Sequence, residues 1–200
     1  MLRKSAVILF AFGAALFSAA GLAQYDAPRH FYAGASASHS RAERWCLGAS
    51  GGGCDDTQVA GKIFGGYQLD ETFAVEVGYN YLGKFKASPS GGGTDEAKVQ
   101  ALEASVVATW QLGTNTAVFG RFGAYYANVR EDTSFAGSFS NNNGDLTFGA
   151  GLRYHLTPKL AVRAEWQRYL DVGGSNVALG AGVGDLSSID VYGVGFLYRF

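Results

Sequence analysis

Eight segments of this chain alternate apolar and polar residues with a period of two, at 31–39, 59–69, 73–82, 99–111, 117–129, 145–156, 159–170 and 188–200. Downstream of the first two dozen residues, no apolar run reaches the ~20 residues of a membrane helix. Each alternating segment is close to the ~10 residues with which a tilted strand crosses an apolar bilayer core. If the chain enters a membrane, it must do so as a closed barrel, because every backbone polar group at membrane depth needs a partner.

The two faces of these segments separate a soluble barrel from a membrane one. Phe73, Val75, Val77, Tyr79 and Tyr81 oppose Ala74, Glu76, Gly78 and Asn80. Leu102, Ala104, Val106, Ala108 and Trp110 oppose Glu103, Ser105 and Thr109. Leu146, Phe148, Ala150, Leu152 and Tyr154 oppose Thr147, Gly149, Gly151, Arg153 and His155. Leu160, Val162, Ala164 and Trp166 oppose Arg163, Glu165 and Gln167. In the last segment Tyr192, Val194, Phe196, Tyr198 and Phe200 oppose Val191, Gly193, Gly195, Leu197 and Arg199. A soluble barrel would bury the apolar set and solvate the charged one. Here the second set is mostly Gly and small polar residues with one or two isolated charges per strand, which suits the narrow lumen of eight strands. The predicted fold is therefore all-β, an eight-stranded antiparallel up-and-down transmembrane β-barrel.

Lys62, Glu76, Glu103, Arg121, Arg153, Arg163 and Glu165 are expected to point into that lumen. Unpaired burial of a charge costs several kcal/mol, so a charge network is expected, with Glu76 pairing with Arg121, Arg153 or Arg163. It could be a fixed plug or a switchable gate.

The chain opens with Arg3 and Lys4, an apolar run over 6–17 and small residues to Ala23, the build of a secretory signal peptide cleaved before Gln24. Residues 24–200 then form the barrel domain. That mature segment keeps 14 of 16 basic and all 17 acidic residues, a formal net charge of −3. It lacks the basic footprint of a nucleic-acid binder. Cys46 and Cys54, in the Gly-rich stretch CLGASGGGC, are expected to form a disulfide after export. Two Cys with no His pair nearby make a poor metal site, and neither metal nor cofactor is expected.

Connections at 70–72, 112–116 and 157–158 are short, whereas those at 40–58, 83–98, 130–144 and 171–187 are long and polar. This alternation places turns on the periplasmic side and long loops outside. Tyr67, Trp110, Tyr154 and Phe200 would form a girdle at the turn end, and Tyr81 and Tyr126 one at the loop end. Of three histidines, His30 and His155 fall at the turn end, and only His39, between Ser38 and Ser40, reaches the outer rim. That is a thin basis for a hydrolase, and no enzyme is expected. Trp45, Phe85, Phe135 and Phe139 are expected in the loops, where aromatics can anchor a partner, pack on neighbouring loops or lie at lipid headgroups.

Several strings resemble the membrane domain of the outer-membrane protein A (OmpA) family: FGGYQ at 64–68, EVGYNYLG at 76–83, GAGLRY at 149–154 followed by LTP at 156–158, and the final YRF at 198–200. The resemblance covers about 31–200. It implies a barrel in the outer membrane of a Gram-negative envelope, with roles in envelope integrity, surface contacts and, in some members, slow porin-like passage of small solutes. Glu76, Arg121 and Arg163 match members of the family's lumenal network, with Glu165 beside them. Val107 and Arg153 stand where the family often has a lumenal Lys and Glu, so any family gate must be rewired. The resemblance also implies that Tyr198 and Phe200 carry the signal read by the barrel-assembly machinery. Many members continue into a peptidoglycan-binding domain; this chain is expected to stop at the barrel and not to bind the cell wall. The expected protein is a monomer in outer-membrane lipid, structural in role, with at most a narrow gated pore. The rival reading is an adhesin that holds host or surface ligands through its loops.

Overall fold

A computed structural model describes residues 30–43, 46, 54–87, 95–133, 137–172 and 188–200. The expected signal peptide at 1–23, Trp45, Phe135 and the side chain of Phe139 lie outside the described residues. The strands are β1 (Phe31–Ala42), β2 (Cys54–Asp55), β3 (Thr57–Gln68), β4 (Phe73–Ala87), β5 (Asp95–Gln111), β6 (Thr116–Thr133), β7 (Gly137–His155), β8 (Leu160–Tyr169) and β9 (Ile189–Arg199). The two-residue β2 pairs with the far end of β4. The eight others each pair antiparallel with the next, and β9 returns to β1 from Tyr32↔Arg199 to Ala42↔Ile189, closing an eight-stranded barrel. One more bond continues the seam, from the Phe200 amide to the Phe31 carbonyl at 3.0 Å.

The turns follow from their residues. Asp70 Oδ1 accepts from the amides of Thr72 and Phe73 at 2.8 and 2.7 Å, and Thr157 Oγ1 accepts from the Leu160 amide at 2.9 Å. These are the local side-chain bonds that make Asp and Thr good turn residues.

Two connections read as long loops are largely strand. β4 and β5 stay paired out to Ala87↔Asp95, and β6 and β7 out to Thr133↔Gly137. Residues 83–87, 95–98, 130–133 and 137–144 therefore extend one wall of the barrel. At ~3.4 Å per residue the 19 residues of β7 run about 60 Å, roughly twice an apolar bilayer core. The outward face of that extension meets water, so it needs no apolar alternation, and polar residues there disguise a strand as a loop.

Phe85, expected in a loop, is completely buried inside the barrel. A bulge between Tyr81 and Gly83 inserts one residue, so inward-facing positions change from even to odd numbers beyond it. Gly83 makes the bulge possible, with φ at +116°, and a Cβ there would lie 2.6 Å from the Gln58 Cβ. Gly83→Ala is expected to cost about 1–3 kcal/mol, seen as a lower temperature for loss of the compact form on gels. Gly113→Ala, whose Cβ would meet nothing within 4 Å, is the control and should behave as the parent. Equal behaviour of the two variants would refute this role for Gly83.

Inside, the charges lie between two apolar layers. Toward the turn end, Lys62 is followed by Phe64, Glu76 by Ala74, Arg121 by Phe119 and Arg163 by Ala161 at the next inward position, all buried. Tyr32, Val107 and Leu197 complete this layer with Phe64, Ala74 and Phe119. Toward the loop end, Leu82, Phe85, Val99, Tyr125, Tyr169 and Ile189 belong to a second, larger cluster.

Candidate functional site

The site is the polar slab between those layers. Period-two alternation carries Lys62 on β3, Glu76 on β4, Glu103 on β5, Arg121 on β6 and Arg163 and Glu165 on β8 to one level of the lumen, each no more than 9 % exposed. Glu76 is the hub. Its Oε2 lies 2.7 Å from Arg121 Nη2, and its Oε1 lies 2.8 Å from Arg163 Nη1 and accepts from the Tyr32 hydroxyl at 2.9 Å. Glu165 Oε2 joins the same two arginines, at 2.6 Å from Arg163 and 3.1 Å from Arg121. Glu103 Oε1 holds Lys62 Nζ at 2.5 Å, and its Oε2 accepts from Tyr169 at 2.6 Å and Gln167 at 2.7 Å. Three carboxylates, two guanidiniums and one ammonium thus share a continuous set of charge-assisted bonds.

Arg153 is set apart. Among the described residues no carboxylate lies within ion-pair distance of it, and its buried Nε and Nη2 have no hydrogen-bond partner. Its guanidinium lies instead between two rings, 5.9 Å from Tyr32 and 5.7 Å from Phe119. Arg163 uses the same layer, 4.7 Å from Phe64 and 4.4 Å from Phe119. Such contacts stabilise a desolvated cation without a counter-ion. Glu76 therefore pairs with Arg121 and Arg163, and Arg153 is the surplus charge.

Gln167, Tyr169, Tyr32 and Ser105 also belong to the network; strand parity gives the inward facing of Gln167 and Ser105 but not their part in it. Gln167 is a crossing point, accepting from Lys62 and Arg121 and donating to Glu103 and Thr147. A void of about 10 Å³ between Lys62, Asn80, Glu165 and Gln167 has room for about one water. At the turn end a larger recess of about 460 Å³ is bordered by Gln111, His155 and Arg199, but by none of the seven lumenal charges.

His39 and Ser40 face opposite sides of β1: His39 is exposed on the outer wall, while buried Ser40 donates to the Leu82 carbonyl. They cannot form a nucleophile–base pair. Cys46 and Cys54 are joined in a disulfide with Cα atoms 5.9 Å apart, packed against the loop-end apolar cluster. On the outer wall Trp110, Tyr154 and Phe200 at the turn end and Tyr126 at the loop end are exposed, Tyr67 and Tyr81 partly so. Beyond the bulge, outside the spanning segments, Glu96 accepts from Lys84 and Lys86, which hold its carboxyl below the ordinary carboxylate range.

A family model for the OmpA-like transmembrane domain matches residues 26–200. Outer membrane protein A of Salmonella typhi is 27 % identical over 206 residues, covering 100 % of this chain and 56 % of that protein, so the chain spans about half the length of this relative. Among solved structures, the outer membrane protein OprG from Pseudomonas aeruginosa superposes with a TM-score of 0.60 at 18 % identity, covering 87 % of this chain and 96 % of that one. Neisserial surface protein A superposes with a TM-score of 0.55 at 19 % identity, covering 85 % and 97 %. Both share the barrel fold.

Proposed function

The chain belongs to the OmpA-like transmembrane domain family, a family of outer-membrane β-barrels, and we propose that it serves the outer membrane as a closed structural barrel. The observation that carries this reading is the arrangement of Glu76, Glu103 and Glu165, whose charges are met by Lys62, Arg121 and Arg163 in a slab bounded by apolar layers. An ion crossing the lumen would have to part buried pairs and then pass Phe119 and Tyr32. Conductance would need an exchange of partners, and the neutralised carboxylates hold the arginines in place. Tyr198 and Phe200, side by side on the outward face of the closing strand with ring centroids 5.4 Å apart, are read here as the assembly signal.

A cell-based experiment tests the structural role. Cells lacking the protein should become sensitive to detergent and chelator, with unchanged uptake of small hydrophilic solutes, and expression of the parent chain should restore resistance. Slowed solute uptake in an otherwise intact envelope would instead mark the protein as a pore.

A further inference from the structure

The charges of the lumen do not balance along its axis. In the central slab Glu76, Glu103 and Glu165 are met by Lys62, Arg121 and Arg163. Nearer the turn end stand two further inward-facing cations. Arg153 lies in the aromatic layer between Tyr32 and Phe119, and Arg199 is at the mouth, paired in register with Tyr32. Among the described residues no ion pair includes either of them. Glu76, bonded to the Tyr32 hydroxyl, is already shared by Arg121 and Arg163.

The recess of about 460 Å³ opens at this mouth, and three parts of the chain build it. The β5–β6 turn supplies Gln111, Thr114 and Asn115, the end of β7 supplies His155, and β9 supplies Arg199. Strand periodicity puts Arg153 and His155 on one inward face of β7, about 7 Å apart, so Arg153 backs the recess from deeper in the lumen. Arg199 reaches over the start of β8, with Nη2 3.5 Å from His155 Nε2. That ring nitrogen occupies one side of the guanidinium and leaves other N–H donors open. Gln111, Thr114 and Asn115 are exposed at the rim and add amide and hydroxyl donors. The acidic residues of this end, Asp70 and Glu71, sit in the β3–β4 turn and do not border the recess, nor does Phe200. The low-dielectric wall focuses the field of the two arginines into the opening.

We propose that this recess binds a carboxylate presented from the periplasm, gripped by Arg199 and attracted by Arg153 behind it. The turn end of an outer-membrane barrel faces the periplasm, so the ligand reaches the site without crossing the plug. A planar carboxylate matches the arginine fork with two parallel bonds and keeps lone pairs for the rim donors. Arg199 is the one permanent cation bordering the recess, which suits a group of single charge. The site goes beyond the structural reading of the barrel and stands whether or not the lumen conducts.

Folded protein in phosphatidylcholine nanodiscs, titrated with sodium acetate at constant ionic strength and followed by ¹H–¹⁵N NMR, provides the test. The amides of Gly113, Thr114 and Asn115 should move along a saturating curve. Arg199→Gln should weaken binding about tenfold, the loss of a charge-assisted bond. Arg153→Met, which removes only the charge behind the site, should weaken it about threefold. Lys159→Gln, an exposed cation that does not border the recess, should bind as the parent does. Compact migration on cold gels checks folding. If Arg199→Gln does not fold, Arg199→Lys keeps the charge without the fork and should bind about threefold more weakly. Shifts that follow acetate and chloride alike, or undiminished binding by a folded Arg199 variant, would overturn the proposal. Tighter binding of inorganic phosphate than of acetate would overturn the assignment to a carboxylate.

Discussion

Glu76→Gln is expected to lower the stability of the barrel by about 3–5 kcal/mol, the cost of breaking a buried ion pair from one side. The substitution nearly preserves volume but removes the charge that meets Arg121 and Arg163 at 2.7 and 2.8 Å. It also places an amide NH₂ against donors that have no lone pair to offer. Arg153 cannot compensate, because it is itself a cation without a carboxylate partner among the described residues. Against a typical total of about 5–15 kcal/mol, this would be a large fraction of stability. Urea titration of the barrel in lipid vesicles, followed by tryptophan fluorescence, measures it. Parent-like unfolding of the variant would mean that Glu76 is not the hub.

Tyr198→Ser/Phe200→Ser is expected to leave most of the protein unassembled in the periplasm, with little heat-modifiable barrel on cold gels. Tyr198 on β9 and Phe200 just past its end are both exposed at the strand that must find β1 to close the wall, and the Phe200 amide makes the last bond of that seam. The control is Phe31→Ser/Tyr67→Ser, which removes a second outward pair, with ring centroids 4.7 Å apart, near the same end of the barrel. It deletes comparable lipid-facing area and should still assemble. Equal loss in both variants would mean that membrane anchoring, not a signal on the closing strand, explains the defect.

Much of the fold was legible because a β-strand has a strict period of two. Outward Leu102, Val106 and Trp110 against inward Glu103, Ser105 and Thr109 can be read from the order of residues alone. The inward positions of Glu76, Arg121 and Arg163 follow in the same way. Three things escaped that reading for identifiable reasons. Gly83 shifts the parity of β4, so Phe85 cannot be placed without knowing where the bulge is. The β6–β7 extension carries Ser, Asn and Gly on a solvated face, which removes the alternation that marks a strand. The pairings within the lumen depend on the stagger of strands distant in sequence, such as Glu76 and Arg163, 87 residues apart. Parity gave Gln167 an inward direction, but only the closed barrel brings the hydrogen-bonding groups of Tyr32, Gln167 and Tyr169 to Glu76 and Glu103.

The sealed lumen is tested most directly by recording current across a planar bilayer after insertion of folded parent protein, with Glu76→Gln alongside. A plug held between the Phe119 and Phe85 layers should give no sustained openings in the parent and a baseline trace in the less stable variant as well. A steady ohmic current through the parent, or openings that appear when Glu76 loses its charge, would show that the network gates a path and is not a plug.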